Sequence, residues 1–302
     1  MTHHIVVLGA GYAGLSAAKG AARRLRGRGG VRVTLVNSVG HFVERVRLHQ
    51  LAAGQPLRDL PLGRLLAGTG IELVVARVTS VDAAARTVRL DSAPYALGYD
   101  TLVYALGSAA DTAAVPGAAA HASAVATYQD ALRLRERTAG ATGSLAVAGA
   151  GLTGIEAAAE LAEAHPGLKV QLITAGELGA GLSQRGRGYL RGALDRHGVT
   201  LREHARIAEV AAHGLVLADG DEIPADAVVW AAGFRVSGLA RDAGFAVDGR
   251  GLLTVDSTLR STSHPEVFAA GGAGAPAGAA GAPARAAGGT GGAGGGGAAR
   301  PR

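Results

Sequence analysis

Residues 4–14 read HIVVLGAGYAG, and residues 144–154 read SLAVAGAGLTG. In each stretch an apolar run typical of a buried β-strand enters G-x-G-x-x-G, and an alanine-rich amphipathic helix is predicted to follow. The first glycine of such a turn permits a tight bend, the second lets a pyrophosphate approach the backbone, and the third lets the helix pack closely on the strand. We name these segments the first glycine turn (9–14) and the second glycine turn (149–154). Two copies in the same context predict two dinucleotide sites, each with its phosphates at a helix N-terminus.

Composition excludes several classes of chemistry. The 302 residues include no cysteine, so disulfides, thiolate metal sites and a redox-active dithiol are excluded. The sequence has no H-x-x-x-H or H-E-x-x-H pair, and we expect no metal site. Its basic residues are not interleaved with aromatic ones, and we expect no nucleic-acid partner.

Charge and hydropathy bear on location. The formal net charge is +6, and Lys19 and Lys169 are the only lysines, so arginine supplies most of the positive charge. This charge favours anionic dinucleotides or an anionic membrane surface, although a compositional bias toward arginine, alanine and glycine explains it more simply. No run of about 18 apolar residues predicts a membrane span, and the first strand begins too close to Met1 for a signal peptide. We expect a cytoplasmic protein, with peripheral contact to the inner face of the membrane as the alternative.

The predicted elements repeat after about 120 residues, which indicates duplicated modules. The first module is predicted to contain strands at 5–8, 31–36 and 99–108, a helix at 14–25 and an antiparallel hairpin within 71–90. The second is predicted to contain strands at 145–148, 170–174, 199–203 and 227–232, helices at 154–165 and 189–197, and a hairpin at 214–224. Strands at 252–255 and 266–270 follow. Parallel βαβ units of this kind predict an α/β fold.

The composition changes after Gly271. Of the last 32 residues, 25 are glycine or alanine, and none is a large apolar residue. Such a segment cannot bury enough apolar surface to offset the entropy lost on folding. We predict a disordered tail at 273–302.

With these elements placed, the chain resembles the flavoprotein reductases that bind two dinucleotides, above all the type II NADH dehydrogenases and the apoptosis-inducing-factor-like oxidoreductases. The resemblance covers residues 1–272, and its most specific motifs are GAGLTGIE at 149–156, VVWAAGF at 228–234 and HPEVFAAG at 264–271. It implies two Rossmann-like modules, the second inserted in the first. The FAD-binding module would comprise 1–111 and 239–272, and the NAD(P)H-binding module 112–238.

The resemblance also implies FAD contacts. The candidate FAD-binding residues are Gly9, Gly11, Gly14, Asn37, Arg45, Arg47, Val78, Ala105, Gly107 and Gly271. The backbone of Val78 would meet the adenine. Residues 41–50 occupy the family's position beside the isoalloxazine ring, where the positive charge of Arg45 or Arg47 would stabilise the reduced ring. The equal alternative is that both arginines are solvated residues of a surface helix.

The second module would bind the nicotinamide coenzyme. The candidate residues are Gly149, Gly151, Gly154, Glu156, Thr174 and Gly233. Glu156 would lie near the nicotinamide half, and the alternative is a carboxylate that is stabilised only by the helix dipole.

Three positions depart from the family pattern. Asn37 and Thr174 stand at strand ends where an acid usually binds ribose hydroxyls. The absence of an acid at Thr174 leaves NADPH open beside NADH, with Arg185 or Arg187 as partners of its 2′-phosphate. Gly272 replaces an Asp that would bind FAD, and the closing helix expected after it is replaced by the Gly/Ala tail. We interpret this as a truncated or altered C-terminus that leaves the FAD site incomplete.

The predicted function is that of a FAD-dependent NAD(P)H dehydrogenase. A hydride would pass from the nicotinamide C4 to the flavin N5, and an acceptor, by resemblance a quinone, would reoxidise the flavin. The chemistry belongs to the cofactors, so no catalytic side chain is assigned. The alternatives are a flavin monooxygenase, for which no substrate domain is left over, and a non-catalytic remnant with impaired FAD binding.

Overall fold

A computed structural model of the chain describes residues 2–277. In chain order, the strands are β1 (His3–Leu8), β2 (Val31–Asn37), β3 (Glu72–Val75), β4 (Val78–Asp82), β5 (Thr87–Leu90), β6 (Ala96–Gly98), β7 (Thr101–Tyr104), β8 (Ser108–Ala110), β9 (Ala122–Ala124), β10 (Gly143–Ala148), β11 (Leu168–Ile173), β12 (Thr200–Arg202), β13 (Ile207–Ala211), β14 (Gly214–Leu217), β15 (Glu222–Pro224), β16 (Ala227–Trp230), β17 (Phe234–Val236), β18 (Leu253–Val255), β19 (Val267–Ala269) and β20 (Gly274–Pro276). The helices are α1 (Tyr12–Leu25), α2 (Leu48–Ala52), α3 (Leu62–Leu66), α4 (Ala118–His121), α5 (Tyr128–Thr138), α6 (Leu152–Ala164), α7 (Gln184–Arg196) and α8 (Leu239–Asp242). Two short 3-10 turns span Arg45–Arg47 and Gly271–Ala273.

The first sheet has the strand order β19-β7-β1-β2-β3 and is parallel throughout. Its central strand, β1, pairs with β2 from His3 to Leu8 and with β7 from Ile5 to Leu8. Val6, Val7 and Leu8 are fully buried, as expected for a strand that is covered on both faces. The apolar run before the first glycine turn therefore forms the centre of this sheet.

The second sheet has the strand order β12-β11-β10-β16-β9 and is also parallel. Its central strand, β10, pairs with β11 on one side and with β16 on the other, as β1 does with β2 and β7. Leu145, Ala146, Val147 and Ala148 are fully buried. The predicted internal repeat is confirmed, because each glycine turn joins a central strand to the helix of a parallel βαβ unit.

The order of strands along the chain shows the insertion. Strand β19 pairs with β7 of the first sheet, although it follows every strand of the second sheet. The α/β fold class with two Rossmann-like modules, the second inserted in the first, is therefore confirmed. The chain crosses between the sheets along β8 and β17, which pair antiparallel, and the Trp230 indole N–H donates to the Asp111 carbonyl at 2.9 Å beside this crossing. The exact module boundaries, at 111/112 and 238/239, stay predictions.

Two small antiparallel sheets, β4-β5-β6 and β13-β14-β15, accompany the parallel ones. The second contains the hairpin predicted at 214–224. The hairpin predicted within 71–90 is wrong in its first part, because β3 extends the first sheet beside β2 and only β4 pairs with β5. Val74 and Val78 are both buried and Val75 is exposed. Such alternation does not reveal where a strand changes its hydrogen-bond partner.

The start of the predicted disordered tail is ordered. Strand β20 pairs in parallel with β18, and Ala273 and Ala275 are buried. The residues of β20 itself have no large apolar side chain and pair through main-chain hydrogen bonds, so composition does not reveal this strand. The rest of the predicted tail, 278–302, lies outside the described residues.

Helix α2 packs against the helices of the second sheet. Leu48 and Leu51 are buried in one apolar cluster with Leu134 of α5 and Leu161 of α6. Burial of each such side chain contributes about 1.5–3 kcal/mol. A segment that belongs by sequence to the first module is therefore held against the second.

Candidate functional site

The first glycine turn lies at the carboxyl end of β1. Gly9 has a φ of +93°, and a Cβ there would overlap the carbonyl oxygen of Ala105. A Cβ on Gly14 would overlap the carbonyl oxygen of Gly9, so packing requires both glycines. Gly11 differs, because apart from its two chain neighbours no described residue comes within 4 Å of the position its Cβ would take. Gly11 therefore borders open space at the N-terminus of α1, which has no side-chain cap and offers its N–H groups to an anion.

The second glycine turn has the same geometry. Gly149 has a φ of +102°, and a Cβ there would lie 2.8 Å from the backbone of Ala232. A Cβ on Gly154 would overlap the Gly149 carbonyl oxygen, whereas one on Gly151 would meet no described atom within 4 Å. Gly11 and Gly151 are both helix N-caps in the same extended conformation, with φ −70° and −72°. Each sheet thus presents an open helix N-terminus at its carboxyl end.

Asn37, at the end of β2, and Gly271, in the 3-10 turn after β19, both lie beside the first glycine turn. Asn37 Oδ1 accepts from the Ala10 amide at 2.9 Å, and its Nδ2 donates to the Val39 carbonyl at 2.8 Å. The amide that replaces the family's acid therefore holds the turn itself. Gly271 has a φ of +69°, and its Cβ would lie only 2.9 Å from that of Ala13.

The two arginine candidates lie in different surroundings. Nη1 of Arg45 donates to the Ser108 carbonyl at 2.7 Å and lies 3.6 Å from the position of a Cβ on Gly107. Burial lowers the pKa of Arg45, and the group still stays charged at neutral pH. Nη1 of Arg47 instead lies 3.5 Å from Oε2 of Glu44 in its own segment. The structure brings Arg45, and not Arg47, to the carboxyl end of β7.

Val78 and Ala105, two further candidate FAD-binding residues, are buried. Val78 begins β4 of the small antiparallel sheet and is buried in the apolar cluster between that sheet and the first parallel sheet. Ala105 follows β7, and its Cβ lies 3.2 Å from the position of a Cβ on Gly14. Ala105 therefore supports the first glycine turn by packing. Gly233, a candidate of the predicted NAD(P)H-binding module, follows β16. It has a φ of +84°, and a Cβ there would lie 3.6 Å from the Cβ of Asp111.

Glu156 of α6 meets helix α2 across the boundary between the predicted modules. Nδ1 of His49 lies 3.6 Å from Oε2 of Glu156, with the His49 side chain mostly buried and that of Glu156 half exposed. One helical turn further along α6, the Gln55 side-chain amide donates to Glu160. The sequence does not predict the contact of His49 with Glu156, because the two residues are far apart in the chain.

An ion pair that the sequence does not predict joins the loop after β11 to α7. Oγ1 of Thr174 accepts from the Gly176 amide at 3.3 Å. Nη1 of Arg187 lies 2.5 Å from Oε2 of Glu177. Arg185 is exposed and makes no side-chain hydrogen bond or ion pair within residues 2–277. Of the two arginines expected to meet a 2′-phosphate, Arg187 is thus already paired with an acid.

Residues 2–277 contain neither a candidate metal cluster nor a candidate membrane-spanning helix. No cluster of three or more His, Asp or Glu side chains in this range could hold a metal ion. No helix in the same range is both long and apolar enough to cross a bilayer.

Comparison with known sequences gives consistent matches. The family model for pyridine nucleotide-disulphide oxidoreductases matches residues 3–287. An NADH dehydrogenase-like protein of Mycobacterium tuberculosis (strain H37Rv) is 36% identical over 297 residues, which covers 90% of this chain and 72% of that protein. The type II NADH:quinone oxidoreductase of Haemophilus influenzae is 31% identical over 147 residues, which covers 44% of this chain and 33% of that protein.

Solved structures share the fold. The ferredoxin reductase for the CYP199A2 system from Rhodopseudomonas palustris superposes with a TM-score of 0.78 at 25% identity, covering 91% of this chain and 69% of that one. NDH2 from Plasmodium falciparum in complex with NADH also gives a TM-score of 0.78, at 18% identity, covering 91% of this chain and 65% of that one. At 18% identity, the similarity to NDH2 shows a shared fold.

Proposed function

The chain belongs to the pyridine nucleotide-disulphide oxidoreductase family, and on that basis we propose that it is a FAD-dependent NAD(P)H dehydrogenase. In this proposal, residues 1–111 and 239–272 bind FAD, and residues 112–238 bind NADH or NADPH. When bound, FAD would supply an acceptor for the hydride of the nicotinamide, and we propose a quinone as the acceptor that would reoxidise the protein.

The observation that supports this proposal most is the geometry common to the two glycine turns. In each turn, packing inside the protein accounts for the first and third glycines. Nothing in the described protein accounts for the second, because a Cβ on Gly11 or Gly151 would point into open space. A pyrophosphate at each helix N-terminus would explain both glycines at once.

The residues of this chain bind and orient the two dinucleotides. When bound, FAD supplies the two-electron chemistry that side chains lack. Asn37 fixes the first glycine turn through the Ala10 amide, so the N–H groups of α1 are already in place for a phosphate. The guanidinium of Arg45 would stabilise negative charge near the carboxyl end of β7. Glu156 would lie beside the nicotinamide, oriented by His49.

The choice of acceptor rests on composition and on a relative. The chain has no cysteine, so it cannot supply the dithiol that disulphide reduction would need. The matched region of the Haemophilus influenzae protein, a type II NADH:quinone oxidoreductase, supports a quinone instead. A quinone acceptor would bring this chain to a membrane surface by peripheral contact.

A second candidate is a non-catalytic relative that does not retain FAD. The observation that favours it is Gly272, which stands where the resemblance calls for an Asp. Gly272 is exposed, and a Cβ there would meet no described atom within 4 Å. The position has room for a carboxylate and does not carry one.

A matched pair of variants tests the proposed function, namely Gly11→Val and Gly151→Val. Both positions have a backbone that valine tolerates and have space for its side chain, so both variants should fold. We expect Gly11→Val to weaken FAD binding at least about tenfold, or about 1.4 kcal/mol, because the added Cβ blocks the pyrophosphate. Gly151→Val should leave FAD binding unchanged and raise the KM for NAD(P)H.

FAD titration of the apo-protein and steady-state kinetics provide the readouts. Loss of FAD from Gly151→Val, but not from Gly11→Val, would show that the two modules are assigned in reverse. Unchanged FAD and NAD(P)H binding in both variants would show that neither glycine turn holds a dinucleotide.

A further inference from the structure

The loop that follows β11 is placed to meet the adenosine ribose of the coenzyme. The Gly149 amide in the second glycine turn donates to the Ile173 carbonyl at 2.8 Å, so this loop begins beside that turn. In dinucleotide-binding folds the adenosine ribose lies at the end of this strand, where an acid binds its hydroxyls. In this chain Thr174 occupies the strand end, and the first acid of the loop is Glu177.

Glu177 is joined to Arg187 of α7. The 2.5 Å separation between Arg187 Nη1 and Glu177 Oε2 is that of a charge-assisted hydrogen bond. The side chains retain 29% and 43% of their exposure for Arg187 and Glu177 respectively, so both still face the solvent from which a coenzyme would arrive. The carboxylate of Glu177 therefore offsets the positive charge of Arg187, so the pair has no net positive charge to attract a phosphate.

The backbone on each side of this pair is fixed. Glu203 accepts from the Leu178 amide at 2.6 Å and from Arg191 at 2.6 Å. At the other side, the Ser183 hydroxyl caps α7 by accepting from the Gly186 amide. Glu177 and Arg187 consequently approach each other from anchored segments, which makes the pair a built feature of the loop.

We propose that the Glu177–Arg187 pair selects NADH over NADPH. This inference rests on the proposed function, because it requires a nicotinamide coenzyme at the second glycine turn. A 2′-phosphate would meet the carboxylate of Glu177 and an arginine whose charge is already satisfied. The 2′-hydroxyl of NADH carries no charge and leaves the pair intact.

The experiment compares the ratio of kcat/KM for NADPH to kcat/KM for NADH. This ratio does not depend on the fraction of protein that is folded or loaded with FAD. Glu177→Gln keeps the shape of the side chain and removes its negative charge. Because Arg187 is then free to bind the 2′-phosphate, the ratio should rise about tenfold or more. Glu177→Ala is the second variant, and it should raise the ratio in the same direction.

Three further variants identify the group responsible. The double variant Glu177→Gln/Arg187→Gln should not show the raised ratio, because the guanidinium that Glu177→Gln releases is absent. Adding Arg185→Gln to Glu177→Gln should leave the ratio raised. Arg133→Gln breaks an ion pair of equal length, to Asp130 on α5, and should leave the ratio unchanged.

Calorimetric Kd values for NAD+ and NADP+ give a second readout without turnover, and NADP+ should gain affinity in Glu177→Gln. A wild type that uses NADH, with an unchanged ratio in Glu177→Gln and Glu177→Ala, would overturn this inference alone. Loss of the gain on removal of Arg185, and not of Arg187, would overturn it as well. A wild type that binds neither coenzyme would overturn the proposed function and this inference with it.

Discussion

The guanidinium of Arg45 donates to the main-chain carbonyl of Ser108, just past the carboxyl end of β7. Burial lowers its pKa, and the same loss of solvent strengthens the field that its charge exerts on a neighbour. Arg47 is two residues away, yet its charge is offset by Glu44. At the scale of single residues, Arg45 is therefore the charge that a flavin at this position would experience.

Replacing Arg45 by Gln should make the flavin harder to reduce. We expect the two-electron potential of the FAD-loaded protein to fall by about 20–30 mV, which corresponds to roughly 1 kcal/mol. Arg47→Gln is the matched control and should leave the potential unchanged. Spectroelectrochemical titration measures both variants. Equal shifts in the two, or none in Arg45→Gln, would remove Arg45 from the flavin site.

At the scale of elements, one carboxylate joins the central strand of each sheet to its neighbour. Asp100 precedes β7 and accepts from the His4 amide of β1 at 2.7 Å. Asp226 precedes β16 and accepts from the Ser144 amide of β10 at 2.8 Å. The amides of His4 and Ser144 lower the pKa of the respective carboxyl groups. The internal repeat therefore extends to the way each strand pair is aligned at its amino end.

Asp100→Ala and Asp226→Ala should each lower the Tm by a few degrees at pH 7, since each leaves a strand amide without its acceptor. The pKa of both carboxyl groups in the folded state lies below the ordinary value of 3.8. Their stabilisation is therefore present above that value and is lost as the pH falls through the lowered one. Circular-dichroism melts at pH 7 and below pH 3 measure this, and an undiminished difference in acid would contradict it.

The sequence predicts the elements whose burial is continuous and fails where a strand changes partner. The runs before both glycine turns are buried on both faces, so β1 and β10 stand out as central strands. Nothing in the composition distinguishes β3 from β4, which share one alternating run but belong to different sheets. Strand β20 is held by main-chain hydrogen bonds. Its residues, glycine, alanine and proline, do not predict a strand.

At the scale of the whole molecule, the β8–β17 pair joins the two sheets, and so does α2, which packs against α5 and α6. The glycine turns were predictable because each is a short local motif, in which backbone conformation and packing require the first and third glycines. The contacts of His49 with Glu156 and of Arg187 with Glu177 were not, because each depends on how separate elements meet. The sequence predicts where two dinucleotides bind, and the structure adds which charged side chains lie near the predicted positions.

The measurement that tests the central claim most directly is an anaerobic titration of the full chain with NADH. The purified protein should retain FAD after gel filtration, and its flavin absorbance should be bleached by about one NADH per flavin, as hydride transfer requires. A protein that loses added FAD would contradict the claim and favour the non-catalytic candidate. A protein that holds FAD but leaves it oxidised in excess NADH and NADPH would contradict the proposed dehydrogenase.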